Sequence, residues 1–384
     1  MKIILCVLLV FQLNYCFGQF KYNEIEKIER NRVLTNAKRY IKEKPVTVTA
    51  FTCERSQGSK HDFYSEGDYW WPNPDDPDGP YIRRDGESNP NNFVEHRKAM
   101  RNMSIWVPAL VAAYKITGKK KYALKAVEHL NAWFINSETK MNPSLLYAQA
   151  IKGRVSGRGI GIIDTIHLIE VAKAIEHLKE SEHVSSNDYK GWLKWYEEYT
   201  KWLTTHQYGI DERDHGNNHS AWWVAQVAAF STLIQNEENL KFCREFFKST
   251  ILPEQIDQEG RFKDELTRTK PYSYSLFNLE AFALISHLLS EEENDLWNYT
   301  TQDGKAVKKA FEFMFPYITD KTKWPYPPDI AHFEKLPVRG SALFFGGIAY
   351  NKPDYINIWK DLESDPTTQE LIRTFVIRQP ILWL

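Results

Sequence analysis

Two short stretches concentrate side chains with chemical potential: Asn217-Asn218-His219-Ser220-Ala221-Trp222-Trp223 and Arg268-Thr269-Lys270-Pro271-Tyr272-Ser273-Tyr274-Ser275-Leu276-Phe277-Asn278-Leu279. Each sets strong polar groups against an aromatic and aliphatic run that otherwise reads as buried helix. Asn217, Asn218 and His219 at a helix start present donors to an anion at the positive end of the helix dipole. The same histidine could cap the helix or rest satisfied in the core. Asn218-His219-Ser220 also fits the glycosylation sequon, which we read as accidental at the mouth of an apolar helix. In the second stretch, a tyrosine with the ordinary pKa of about 10 is a poor base near neutrality, but a nearby guanidinium favours its phenolate. Arg268 precedes Tyr274 across the Pro271 turn and could supply that field or clamp a carboxylate. Tyr272 rivals Tyr274 for the base role.

Other groups could serve a ligand. His96 and Arg97 open a helix and are candidates for substrate contact, with ordinary capping as the plainer use. Arg154 and Arg158 lie in the glycine-rich stretch Lys152-Gly153-Arg154-Val155-Ser156-Gly157-Arg158-Gly159-Ile160-Gly161. No strand precedes it and the dinucleotide spacing is not met, so it reads as a loop entering a helix N-terminus, where an anion is favoured, or as a solvated loop. Trp70, Trp71, Trp222 and Trp324 are candidate stacking or lining surfaces for a ligand. Asp164, Glu265 and Asp329 could form a hydrolytic carboxylate pair, whose separation the sequence does not give. No His/Cys cluster with zinc-ligand spacing is present, so no metal or cofactor is expected.

The elements that must position these groups are helical. Asn23 to Lys42 shows amphipathic spacing; from Phe93 onward come helical pairs at Arg97–Thr117 with Lys120–Asn136, Ile160–Leu178 with Tyr189–His206, Asn218–Gln235 with Glu238–Ile251, and Tyr272–Leu289 with Lys305–Phe315. Shorter segments near Ser341–Tyr350 and Gln369–Arg378 close the chain. Gly118 suits a left-handed helix cap. Successive antiparallel hairpins without a short fixed repeat predict an all-α fold, an (α/α) toroid or incomplete α/α barrel. Residues 53–92 break the pattern. They are rich in Gly, Pro, Asp and Asn yet carry Tyr69, Trp70, Trp71 and Tyr81, and such a long loop is either a pinned surface excursion or one wall of a cleft.

The chain has 384 residues, a formal net charge of -1, 42% hydrophobic and 14% aromatic content, ample for a large core. With no composition break, residues 19–384 are expected to form one domain. The charge points to neither nucleic acid nor anionic membrane as partner. Lys2 followed by a short apolar run reads as a signal peptide over residues 1–18, too short for a membrane span, which predicts a secreted or periplasmic protein starting near Gln19. Lipid anchoring at Cys16 is the weaker alternative, since Leu13-Asn14-Tyr15 lacks small residues. The remaining Cys53 and Cys243 could pair or stay free.

Asn-Asn-His-Ser combined with Glu265-Leu266-Thr267-Arg268, followed by Tyr274 and Phe277, resembles the alginate lyases built on α/α toroids. The resemblance extends over about Asn92 to Tyr350. It implies β-elimination from a 4-linked uronate glycan, with Tyr274 as base and acid and with Asn218, His219 and Arg268 serving the substrate carboxylate. His219 is the first candidate for a second acid where the leaving oxygen lies opposite the C5 proton, with Tyr272 or His96 behind it. The expected partner is an anionic polysaccharide, and a monomer is favoured. The alternatives are an α/α-barrel glycoside hydrolase and a non-catalytic glycan-binding protein.

Overall fold

The computed structural model describes residues 22–384. The expectations of a signal peptide and of lipid anchoring at Cys16 fall outside those residues.

A first helix, α1, runs to residue 40. The following segment carries the short strands β1 (Tyr64–Glu66), β2 (Trp70–Trp71) and β3 (Ile82–Arg83). Then come α2 (Glu95–Thr117), α3 (Lys120–Phe134), β4 (Tyr147–Ala150), α4 (Leu168–Leu178), α5 (Ser186–Thr205), α6 (Gln207–Arg213), α7 (Asn218–Ile234) and α8 (Glu237–Phe246). The chain continues through α9 (Leu252–Gln255), α10 (Lys263–Leu266), α11 (Pro271–Leu289), α12 (Val307–Thr319), α13 (Ser341–Ala349), α14 (Pro353–Asp361) and α15 (Gln369–Thr374).

Helix packing follows composition. Beyond its first turn α7 is apolar on every side, as are α11 and α13, and a helix of that kind must be surrounded. These form an inner row in which α2 packs on α4, α4 on α7, α7 on α11 and α11 on α13. Helices α3, α8, α12 and α14 back the inner helices they follow, α2, α7, α11 and α13, while α5 packs on α7 and α3; each of these outer helices carries one apolar face inward and a polar one outward. The result is the (α/α) toroid of antiparallel hairpins.

Most helix boundaries lie within a few residues of the sequence periodicity, and Gly118 is the left-handed cap of α2, with φ 64°. The differences have local causes. Residues Gly159–Thr165 wind as a 3₁₀ segment before α4 begins, and α8 gives way at Phe247–Ile251 to a π-turn. Helix α6 was hidden because a seven-residue helix offers too few turns for periodicity to register. Cys53 and Cys243 are both free.

The 53–92 segment is ordered and pinned. β1 pairs in parallel with β4 and β2 antiparallel with β3. Arg55 pairs with Glu66 at 2.5 Å, whose carboxylate also accepts the Phe93 N–H at 2.7 Å. The Asn92 side chain donates to Gly67 O at 2.7 Å and that of Asn89 to Trp70 O at 2.9 Å, so backbone groups outside regular structure find partners. Among the described residues no helix is long and apolar enough to cross a membrane.

Candidate active site

A cleft of about 440 Å³ opens at the ends of the inner helices. One wall is made by the first turns of α7 and α11. At α7, Asn217 is the N-cap: its Oδ1 accepts the His219 N–H at 3.0 Å, and its backbone carbonyl accepts from Gln255 at 2.7 Å. This fixes Asn218 and His219 in the first turn, facing the cleft. At α11, Pro271 occupies the first helical position and Asp329 accepts the Tyr272 and Ser273 N–H groups, each at 2.9 Å. The turn from α10 to α11 then places Arg268 over the ring of Tyr274, 4.0 Å from its centroid, with Nη2 donating to the phenol oxygen at 3.0 Å.

The opposite wall comes from the 53–92 segment, with contributions from α2, β4 and α15. Tyr69 places its hydroxyl 2.9 Å from that of Tyr274. Arg373 of α15 donates to the Tyr69 hydroxyl and to Asp68. Asp85 receives Arg268 at 2.9 Å and the Thr269 hydroxyl at 2.9 Å, so the 53–92 segment also orients the guanidinium on the first wall.

The electrostatics differ from the sequence expectation in one respect. Arg268 and Arg373 both push the Tyr274 phenol toward ionisation, but burial and the neighbouring Tyr69 outweigh them and hold its pKa well above the ordinary value. Tyr274 therefore rests as a phenol. Should it ionise, its oxygen has donors in place, from Arg268 and from the Tyr69 hydroxyl.

His219 and Asn218 are each held by a carboxylate. His219 Nδ1 lies 2.8 Å from Glu212 Oε1, which is fully buried at the end of α6. In the neutral ring, a carboxylate on Nδ1 keeps the proton there and leaves Nε2 as a lone-pair acceptor; Nε2 has no partner among the described residues. The Asn218 side chain donates to Glu265 at 2.8 Å, and Glu265 also accepts the Asn218 backbone N–H at 2.9 Å. Burial raises the Glu265 carboxyl. Of the two Asn218 amide N–H groups, one remains for a ligand.

Of the residues singled out in the sequence, the cleft gathers Asn217, Asn218, His219, Arg268, Tyr274, Trp70 and Arg158. Arg158 donates to the carbonyl and side chain of Gln149, at 3.0 and 3.1 Å. Others lie elsewhere. Tyr272 is fully buried between Trp324 and Phe333 and donates to Tyr317 O at 3.0 Å, so it is no rival base. Trp324 packs on that ring and lines no part of the cleft. His96 is a satisfied core residue between the Tyr64 N–H at 2.9 Å and Phe51 O at 3.1 Å. Arg97 is buried beneath the cleft, where it pairs with Asp68 and, at 3.0 Å, with Asp164. Trp71 faces away and donates to Glu87 O at 2.9 Å, while Arg154 is exposed, with its guanidinium 5.2 Å from the Trp70 ring. Trp222 sits behind the site and stacks on Phe277 at 4.9 Å, which does line the cleft. Asp164, Glu265 and Asp329 are each occupied by internal donors, and of the three only Asp164 lines the cleft, so no carboxylate pair spans it.

Sequence reasoning missed Tyr69, Asp85, Arg101 and Arg373. Tyr69 adjoins Trp70 in a run whose use as a cleft wall was one of two open readings. The other three belong to no local pattern.

A family model for alginate lyase matches residues 47–324. The structure is similar to an alginate lyase from Bacteroides ovatus, with 30% identity and a TM-score of 0.81, covering 93% of this chain and 97% of that one. It also shares the fold of alginate lyase A1-III from Sphingomonas species A1, with 15% identity and a TM-score of 0.58, covering 92% and 94% of the two chains. A variant of that lyase complexed with a tetrasaccharide superposes with a TM-score of 0.57 at 15% identity, covering 90% of this chain and 88% of that one. No curated protein sequence matches the chain.

Proposed function

Because the chain belongs to the alginate lyase family and is a polysaccharide lyase, we propose that it cleaves a 4-linked uronate glycan, alginate first, by β-elimination around Tyr274. The observation that carries the residue assignment is the convergence of Arg268 on the Tyr274 oxygen, at 3.0 Å, in one cleft with Asn218 and His219.

The chemistry explains these residue types. A uronate C5–H is weakly acidic while its carboxylate keeps its full charge, so donors must stabilise the enolate-like intermediate. Arg268 and the free N–H of Asn218 are placed to do so. The C5–H bond then breaks, its electron pair forms C4=C5, the C4–O4 bond breaks and O4 takes a proton.

Two proton routes share this site. Where C5–H and O4 lie on the same side of the sugar, Tyr274 in its ionised form takes the C5 proton and returns it to O4. Because its resting form is the phenol, only the ionised fraction can start this route, and the rate rises with pH. Where they lie on opposite sides, the phenol is already the right form to protonate O4. His219 Nε2, with Glu212 holding the proton on Nδ1, is then the base. This reverses the acid role that the sequence suggested for His219.

Residues 1–18 serve in this reading as a secretion signal, and N-terminal sequencing of the exported chain should begin near Gln19. The activity test is incubation with alginate and with glucuronan while following the ultraviolet absorbance of a C4=C5 unsaturated uronate. Rising absorbance is expected. New reducing ends without it would make the enzyme a hydrolase, and neither signal on any uronate polymer would overturn the reading.

A further inference from the structure

Beneath the cleft, buried side-chain amides join the two helix starts that carry the proposed chemistry. Gln255, the last residue of α9, is buried, as is Asn278 in the second turn of α11. Gln255 Nε2 donates to the backbone carbonyl of Asn217 at 2.7 Å, and Gln255 Oε1 accepts from Asn278 Nδ2 at 2.9 Å. A backbone carbonyl can only accept, so it fixes which end of the Gln255 amide faces α7 and which faces α11.

Both ends of this bridge abut the site. Asn217 caps α7 and immediately precedes Asn218 and His219. Asn278 follows Tyr274 by one turn on the same face of α11. The bridging residue is itself held, since Leu252 and Ile256 on either side of it are fully buried and Lys305 Nζ donates to Pro253 O at 2.6 Å. Elsewhere α7 and α11 pack mostly through apolar side chains, whose contacts resist separation but set no direction. Glu265 holds Asn218 from α10, not from α11. The Asn278 Oδ1 is buried with no partner among the described residues, a cost in stability that an apolar residue there would avoid.

We propose that Gln255 is a positioning residue that sets the register of α7 against α11, and with it the placement of His219 relative to Tyr274. This rests on the two proton routes of the proposed elimination. The same-side route passes both proton transfers through Tyr274. The opposite-side route needs His219 on one face of the sugar and Tyr274 on the other at once, so an error of register falls mainly on it.

The test compares the full wild-type chain with Gln255→Leu and Asn278→Ala on two polymers. In polyguluronate C5–H and O4 lie on opposite sides, and in polymannuronate they share a side. Gln255→Leu keeps a similar volume and removes both bonds. Its kcat on polyguluronate should fall about 10- to 30-fold, with a fall several times smaller on polymannuronate and KM within about 3-fold on both. Asn278→Ala cuts only the α11 arm and should show the same split at smaller size, which keeps the proposal open to test if the first variant fails to fold. Crystal structures of the variants should show the first turns of α7 and α11 displaced by more than about 0.5 Å relative to each other, with the Glu212–His219 and Arg268–Tyr274 contacts intact. A packing defect alone would lower the thermal midpoint and slow both polymers together. Equal losses on the two polymers, a loss seen only in KM, unchanged rates, or unshifted helix starts would each overturn the proposal. If the wild-type chain gives no unsaturated product from either polymer, the elimination reading falls, while the crystal structures still decide whether Gln255 sets the register.

Discussion

The cleft has two walls held in different ways. On one, Asn218, His219, Arg268 and Tyr274 come from the starts of two neighbouring inner helices, fixed by the Asn217 cap, by Pro271 and by Asp329 on the first N–H groups of α11. On the other, Asp68, Tyr69 and Asp85 come from a segment of short strands and turns, and ion pairs from Arg97, Arg268 and Arg373 hold them in place. Helix starts give rigid placement through backbone N–H groups, with buried carboxylates such as Asp329 and Glu265 as acceptors. Ion pairs give placement that depends on salt and on the partner's presence. In the proposed chemistry the proton-handling groups sit on the first wall, and the second adjusts their surroundings.

The sharpest way to break this division is Tyr274→Phe. Removing the proton carrier should lower kcat by about 10³-fold or more while circular dichroism and thermal midpoint stay near wild type. The pH profile refines it. With burial holding the phenol well above its ordinary pKa, the same-side route should gain rate roughly in proportion to hydroxide from neutrality upward. The opposite-side route uses the phenol and should show no such gain. Equal profiles on polymannuronate and polyguluronate would mean that one proton route serves both.

Next in size is the Glu212–His219 pair. Glu212→Gln keeps the shape but removes the carboxylate that fixes the proton on Nδ1, and should cost about 10²-fold in kcat on the opposite-side substrate. On the same-side substrate the loss should be several times smaller. If both substrates lose equally, His219 acts on the carboxylate and not on the proton.

A test of the second wall is Asp85→Asn. It frees Arg268 and Arg83 from their shared acceptor, so Arg268 keeps its charge but loses its orientation. We expect about a 10-fold fall in kcat/KM, growing at high salt, where the remaining ion pairs of this wall also weaken. A loss independent of salt would show that the wall is held by its backbone bonds and buried asparagines instead.

The same contrast explains what could be read in the sequence. The first wall was legible because each of its groups sits within a few residues of a helix start, where polar side chains beside an apolar run stand out. The inner row was legible for a similar reason, since α7 and α11 lack the polar face of a surface helix. Arg373 and Asp85 were not legible: their role exists only because the toroid brings α15 and the 53–92 segment to the mouth of the inner row. The same holds for Arg97, which looked like a ligand contact and instead carries the buried charges beneath the cleft. Tyr272 and Tyr274 lie two residues apart, and sequence could not divide them. On a helix that spacing turns the side chains in widely different directions, one into the packed space between α11 and α12 and the other into the cleft.

Tyr272→Phe is accordingly the smallest expected effect and the control for the largest. The Tyr272 hydroxyl donates to Tyr317 O in a site closed by Trp324 and Phe333, and burial pushes its pKa up. Phenylalanine would keep the ring packing and lose one neutral hydrogen bond, leaving the Tyr317 carbonyl unpaired. That should destabilise the fold by about 1 kcal/mol, a thermal midpoint shift of a few degrees. Activity measured well below the midpoint should stay within about 2-fold, because the Asp329 bonds that set the first turn of α11 come from the backbone and survive the change. A large loss of kcat with an unshifted midpoint would place Tyr272 in the chemistry and undo the assignment of the two tyrosines to separate roles.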